Sequence, residues 1–443
     1  MKYTNDGEEV SVNEIRELIF VTDKNGVVKK IKCDVLGGII KESLYVKTMG
    51  DTMEIYAYRN GLYVNYEKEI HKHIQDVLGG VSSRHNISEV VSWIKNASLT
   101  DRGLFNKDKN VINLKNGLLN VNTLELTPHS PVFASTIRIP ITHDPDASCP
   151  EINTFLSEIV SEDNKDILLE FFGYYLIPDY RMQRIIMLIG EGANGKGVLL
   201  NLLMSFIGHE NCSDATLHAL DDNRFASSSL YGKLVNIQGD LSAENVRNTS
   251  MIKQLCGGDT VFAEKKGKDA FSFKNTARLI FGGNKLPRAV FDDSNGWFRR
   301  MLVIEFPNIF EGDSDDKNKL KCLTTDEELS GLLNIALMGL NRLRVNQGYS
   351  DNKTIEELKE SYVLHSTPEI DFVVTHISFQ LESFVSREEI KDAFVTHLHE
   401  KSVTTKTPIN RVYDEIRKRY PMSEKRIRIG KEAVRRFKNI ELF

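Results

Sequence analysis

The sequence predicts an α/β fold with a parallel-sheet core, carrying an α+β region before it and a basic module of two helices and a wing after it. Three observations lead there. From about residue 182 to residue 308, apolar strand-like runs alternate with helical or loop material, as in a sheet covered by helices on both faces. A glycine-rich segment, Gly190-Glu191-Gly192-Ala193-Asn194-Gly195-Lys196-Gly197, joins the run Ile185 to Ile189 to a helix-like run that starts at Val198. Charge is uneven: residues 401 to 443 hold thirteen basic and five acidic side chains, a net of +8, whereas the whole chain is at −5.

Length and composition bound the rest. At 443 residues the chain exceeds one compact core, and a domain per ~150 residues predicts about three. Apolar residues make up 41% and charged residues 27%, ordinary for a globular protein. Five widely spaced cysteines form neither a metal clamp nor a disulfide framework, so a reducing, cytoplasmic setting is expected. No apolar run approaches the ~20 residues that span a bilayer, and the start lacks a signal-like stretch. The expected mature protein is the whole chain, without a membrane partner.

Along the first hundred residues, Ile55 to Tyr58 and Leu62 to Val64 read as strands joined at Arg59-Asn60-Gly61, with a helix from Glu67 to Leu78. His71 and His73 have no third metal ligand at a useful spacing and read as an exposed helix face. Asn116-Gly117 turns into a strand, Pro128 to Pro150 mark an extended connector, and Glu151 to Tyr175 fit packed helices. In the core, the strand candidates are Ile185 to Ile189, Leu234 to Ile237, Leu279 to Gly282 and Met301 to Phe306. Beyond a charged loop at residues 313–317, Glu327 to Arg344 reads as an amphipathic helix. In the tail, Ser386 to Leu398 and Ile409 to Arg419 read as helices, with Lys425 to Ile429 and Val434 to Phe437 as a wing.

The chemistry begins at the glycines. A strand entering such a loop lets backbone N–H groups turn around phosphate oxygens, while the following helix points its positive end at them and Lys196 reaches the β and γ groups. The predicted nucleotide-binding set is Gly190, Gly192, Ala193, Asn194, Gly195, Lys196, Gly197 and Val198. Hydrolysis further needs a metal-holding carboxylate, a group that aligns water, and a cation for the developing charge. Asp240 ends one strand, Asn284 ends the next, and Arg299 and Arg300 precede the last. The arginines could form a solvated ion-pair face or reach a neighbouring subunit's site. Between acid and amide, two apolar runs flank Lys265, Lys266 and Lys268, a hairpin whose tip could grip a phosphate backbone or merely solubilise the turn. Arg426, Arg428, Arg435 and Arg436 give the wing a basic side for duplex DNA.

In this order and spacing the segments resemble the superfamily III helicases, the AAA+ helicases of phage, plasmid and poxvirus primase-helicase proteins. The matching residues are Gly192 to Lys196, Ile252 to Asp259, Phe271 to Phe273, Gly283 to Pro287, and Phe298 to Arg300 with Val303 to Pro307. The resemblance implies an N-terminal α+β domain at 1–100, a connector and helical collar at 101–181, an AAA+ ATPase core at 182–310, a helical lid or linker at 311–365 and a winged helix at 366–443. It implies ATP and Mg²⁺ as cofactors, Lys196 on phosphate, Asp240 at the metal position, Asn284 as sensor, Arg300 or Arg299 as a finger acting on the next subunit, and Lys265, Lys266 and Lys268 in a ring pore. The expected activity is a hexameric, replicative DNA helicase moving 3′ to 5′, acting on single-stranded and duplex DNA of a mobile element. The other reading is an ATP-switched replication initiator with weak hydrolysis. Two departures stand out: Gly197 replaces the Ser or Thr that touches Mg²⁺, and Asp240 is followed by Leu241, leaving Glu244 as a candidate second acid. The first hundred residues show no clear set of metal-binding carboxylates, so primer synthesis is expected from a separate primase or other replication protein.

Overall fold

A computed structural model describes residues 3–5, 7–267, 269–292, 294–311, 316–400, 408–429 and 432–443, with side chains left undescribed at 400, 427–429, 432 and 433. In the N-terminal region, helices Val12–Ile19, Cys33–Ser43, Glu67–Leu78 and Arg84–Ala97 bury one apolar cluster that includes Ile15, Leu36, Ile40, Ile74 and Ile94. Ser11 opens the first helix with a reciprocal cap: its hydroxyl accepts from the Glu14 amide, and the Glu14 carboxylate accepts from the Ser11 amide. The expected hairpin is present as Ile55–Arg59 and Leu62–Asn65, turning through Asn60 and Gly61 at φ +49° and +84°, where Asn-Gly is favoured. The helix Glu67–Leu78 has the predicted bounds.

The core sheet is five-stranded and parallel, ordered Cys212–Ser213, Val235–Gln238, Arg278–Gly283, Ile185–Ile189, Met301–Glu305. All five residues of Ile185–Ile189 are buried, as befits a strand covered on both faces. Its side chains alternate between two cores. Ile186 and Leu188 join Leu199, Leu203, Phe172 and Leu333 on one face. Ile185, Met187 and Ile189 join Leu255, Phe281, Trp297 and Tyr362 on the other. Each such side chain contributes roughly 1.5–3 kcal/mol of burial. Leu302 and Ile304 against Met301 and Val303 repeat the alternation in the neighbouring strand.

Helices Pro150–Ile159 and Glu162–Tyr174 occur where packed helices were expected, and the long helix Asp326–Asn346 lies across the second. Their approach is close because glycines sit at the crossing. A Cβ at Gly173 would lie 2.0 Å from the Ala336 carbonyl oxygen, and one at Gly339 would lie 2.5 Å from that of Leu169. Beside it, the fully buried Glu170 accepts from Arg342 Nε at 2.7 Å and from the Ser350 amide at 2.8 Å. Glu328 does a comparable job at the start of Pro150–Ile159, its carboxylate accepting from the amides of Glu151 and Ile152.

The tail holds helices Pro368–His376, Arg387–Glu400 and Ile409–Arg419 and an antiparallel three-stranded sheet, ordered Ile377–Ser386, Glu432–Leu442, Ser423–Ile429. Phe372, Phe394, Val412, Ile416, Phe437 and Ile440 form its own core. Strands near Ser423–Ile429 and Glu432–Leu442 were expected; Ile377–Ser386 was not. Among the described residues, no helix is long and apolar enough to cross a membrane, and no group of His, Cys, Asp or Glu side chains forms a ready metal cage.

Candidate functional site

The glycine-rich loop occupies the carboxyl edge of the sheet, between the strand Ile185–Ile189 and the helix Lys196–Ile207. The strand is flanked by Arg278–Gly283 and Met301–Glu305, while the chain leaves it for the far edge. Loops at such a reversal of strand order are where ligands collect in open α/β sheets. The loop turns by placing Ala193 at φ +56° and Gly195 at φ +83°. At Gly195 a Cβ would also come within 2.6 Å of Ile159 Cγ2, so both conformation and space call for glycine. At Gly190 a Cβ would collide with Asn194 Nδ2 and the Phe306 carbonyl oxygen, at 2.3 and 2.6 Å.

Beyond the loop lies a cavity of about 570 Å³, within the range of small-molecule sites. Gly192 to Val198 line one wall, Gly239 and Asn284 another, and Phe155, Glu158, Phe310, Asp316 and Lys319 close it. Lys196 is buried at the first turn of its helix and donates to the Gly190 carbonyl at 2.5 Å and to Asn194 Oδ1 at 3.0 Å. Burial pushes its ammonium down to about 8, a shift that Glu191 opposes. The opposite amide atom of the buried Asn194, Nδ2, has no partner among the described residues. A helix N-terminus, a lysine and an unsatisfied amide donor together suit an anion with several oxygens.

The other predicted residues fall out as follows. Asn284 is exposed and lines the cavity, as expected of a strand end. Asp240 is exposed one residue past the lining Gly239, with its carbonyl accepting from the Gln238 side chain. Glu244 stands on the loop beyond, its carbonyl meeting His218 Nε2, and does not line the cavity. Gly197 lines it, with nothing within 4 Å of the position a Cβ would take. The paired arginines separate: Arg299 is exposed, whereas Arg300 is 8% exposed and donates to the Gly296 carbonyl of its own chain. Both sit at the amino edge of the sheet, where the Ile185 amide donates to the Arg300 carbonyl. Sequence reasoning did not place Glu158, Asp316 and Lys319 at this cavity. They come from two segments far apart in the chain, linked by a Lys319–Glu158 ion pair at 3.6 Å, and no local pattern announces such a meeting.

The hairpin forms from Thr260–Ala263 and Phe271–Lys274, with Phe262 opposite Ser272. Lys266 is exposed at its tip; Lys268 lies outside the described residues. Lys265 folds back over the rings of Tyr231 and Phe271, at 5.7 and 5.4 Å, and Arg102 covers the same Tyr231 ring at 4.4 Å. In the tail sheet, Arg426 stands directly opposite Arg435, and Lys425 opposite Arg436. The side chain of Arg428 lies outside those described. Like charges face to face across two strands destabilise a sheet and favour a polyanion between or over them.

Known proteins share parts of this chain. Residues 188–300 match a family of unknown function, DUF5906, and residues 16–161 match the family described as D5 N terminal like. Over 184 residues the chain is 29% identical to the Acanthamoeba polyphaga mimivirus protein named "Putative helicase L207/L206". That alignment takes in 40% of this chain and 19% of the viral protein, so the chain spans about a fifth of that relative's length. In three dimensions it resembles the A form apo structure of the NrS-1 C terminal region, with TM-score 0.51 and 13% identity over 90% of this chain and 97% of that one. At that identity the likeness speaks for the fold.

Proposed function

We propose that the protein is an ATP-dependent DNA helicase of superfamily III type that works as a ring, 3′ to 5′, in the replication of a phage, plasmid or related element. The observation that carries this is the cavity at the carboxyl edge of the sheet, where a left-handed loop, a helix N-terminus and Lys196 converge beside Asn284. The sequence match to the mimivirus protein named "Putative helicase L207/L206" supports the same reading. Loop amides and Lys196 hold the triphosphate, Asn194 Nδ2 donates to it, and Asn284 orients the attacking water. Mg²⁺ bound with the nucleotide supplies charge neutralisation at the phosphates. Asp240, one residue past the lining Gly239, would be its protein ligand. Arg299, exposed at the amino edge of the sheet, serves the next subunit's cavity rather than its own. Lys265 and Lys266 follow the single strand, and the tail sheet contacts duplex DNA through Arg426 and Arg435.

The test is turnover and strand displacement by the assembled protein with ATP and Mg²⁺. DNA-stimulated hydrolysis and unwinding of a tailed duplex are expected, both abolished by Lys196→Ala. A folded oligomer that hydrolyses ATP without unwinding at any salt concentration overturns the helicase reading. The second reading, an ATP-switched initiator, draws on the open space at Gly197, where no hydroxyl meets the metal. Tight nucleotide binding with turnover that DNA leaves unchanged would favour it.

A further inference from the structure

Between the central region and the tail lies a second cavity, of about 440 Å³, that shares no lining residue with the one beyond the glycine-rich loop. Its wall comes from three places in the chain. The loop after the strand Arg278–Gly283 gives Lys285 and Arg288, the connection into the tail gives Thr367 and Glu369, and the helix Ile409–Arg419 gives Arg411. Among the described residues that line it, three are Lys or Arg and one, Glu369, is acidic. Two helices also begin there: Pro368–His376 and Ile409–Arg419 both open on this cavity, and neither first turn is capped by a side chain. Uncapped helix starts add partial positive charge to that of the three side chains. Glu369 leaves this charge incompletely matched. It is 6% exposed, and its Oε1 lies 3.7 Å from Arg288 Nη1 and 3.6 Å from Arg411 Nη1. Charge-assisted hydrogen bonds run about 2.7–2.9 Å, so one oxygen attracts both guanidiniums and is hydrogen-bonded to neither. Both arginine side chains also reach water, at 48% and 56% exposure. A phosphate diester, with two unbridged oxygens, can offer one to each guanidinium, which a single carboxylate oxygen cannot.

We propose that this cavity takes a backbone phosphate of duplex DNA, held jointly by Arg288 of the central region and Arg411 of the tail, and that Glu369 keeps the place in its absence. The proposal rests on the reading of the tail as a DNA-binding module and extends its contact from the wing to the seam with the core. The phosphate is part of a polymer because the site is open to water at both arginines, and because the helix that carries Arg411 packs through Val412 and Ile416 on Phe437 of the wing. Glu369 is then a built-in competitor: it holds the tail on the core through two loose ion pairs until a stronger acceptor arrives.

Anisotropy of a fluorescein-labelled duplex, titrated with the full chain over a salt series, tests this. Arg288→Gln and Arg411→Gln each weaken binding by about tenfold, the worth of a hydrogen bond to a charged group. Replacing both makes the fall of log affinity with log salt shallower by about 0.9, the slope of one phosphate contact, and Arg288→Lys retains the parent slope. Glu369→Gln acts in the opposite direction, tightening binding by about threefold or more, because no carboxylate then competes with the phosphate. That opposition of sign separates a ligand site from a seam that merely holds the tail to the core, since breaking a seam from either side shifts affinity the same way. Arg288→Gln with parent affinity overturns the proposal, as does Glu369→Gln that weakens binding like the arginine variants; in either case duplex binding by the parent leaves the tail reading intact. Inorganic phosphate that raises the melting temperature of the parent but not of Arg411→Gln, while Arg288→Gln binds duplex normally, assigns the site to a free anion and overturns the polymer. A parent that binds no duplex at any salt concentration removes the DNA reading, and the proposal with it.

Discussion

Lys196 illustrates how a single side chain couples protonation to ligand. Its ammonium sits below the ordinary lysine value of 10.5, near 8, because burial disfavours the charge. An unfolded chain keeps that proton, so between about pH 8 and 10.5 the unfolded state binds more protons and this residue's contribution to stability rises with pH. Bound phosphate reverses the balance by favouring the charged form. If the proposed triphosphate site is correct, nucleotide binding is expected to bring proton uptake near pH 8.5 and little at pH 6.5. Calorimetry in buffers of different ionisation enthalpy reads this directly, and equal uptake at both values would contradict it. At this scale the sequence was informative about residue type and silent about direction. The positions of Lys196 and Asn284 followed from strand, loop and helix in succession. Which of Arg299 and Arg300 faces water did not, because it depends on whether the guanidinium finds Gly296 of its own chain or solvent. Nor did the exposure of Asp240, set by a turn after the strand.

Among elements, those with a local rhythm were legible. The helices Glu67–Leu78 and Ile409–Arg419 and the hairpin Thr260–Ala263 with Phe271–Lys274 all carry regular apolar spacing. The strand Ile377–Ser386 does not: its middle is exposed and its pairing shifts register between Phe379 and Phe384, so alternation is lost. The crossing of Glu162–Tyr174 with Asp326–Asn346 depends on backbone contact at Gly173 and Gly339. Gly339→Ala should destabilise the protein by about 1–3 kcal/mol, the usual cost of overpacking, as a lower denaturant midpoint. In the tail sheet, Arg435→Thr relieves the charge facing Arg426. It is expected to stabilise this region by about 0.2–1 kcal/mol while weakening duplex binding and reducing its salt dependence. Unchanged DNA affinity would remove Arg435 from the interface.

For the whole molecule, the strand order and the cavity's far wall were beyond reach from sequence, since the sheet pairs strands as distant as Ile185 with Met301 and the cavity is closed where Lys319 meets Glu158. The tail has its own apolar core, yet it is stitched to the central region through Arg288 and Glu369 at 3.7 Å. Deleting residues 366 to 443 is expected to weaken duplex binding and leave basal ATP hydrolysis in place; a filter-binding series and a coupled hydrolysis assay test the two halves of that statement. The bridge from Glu328 to the amides of Glu151 and Ile152, some 176 residues away, has a bearing on how the chain is made. On the ribosome, the N-terminal cluster can settle as soon as its last helix, Arg84–Ala97, has emerged. The central region must wait for Asp326–Asn346, and until that helix is translated the first turn of Pro150–Ile159 lacks its acceptor and the Gly173 face lies bare. A nascent chain stalled before that point would be the form that chaperones bind.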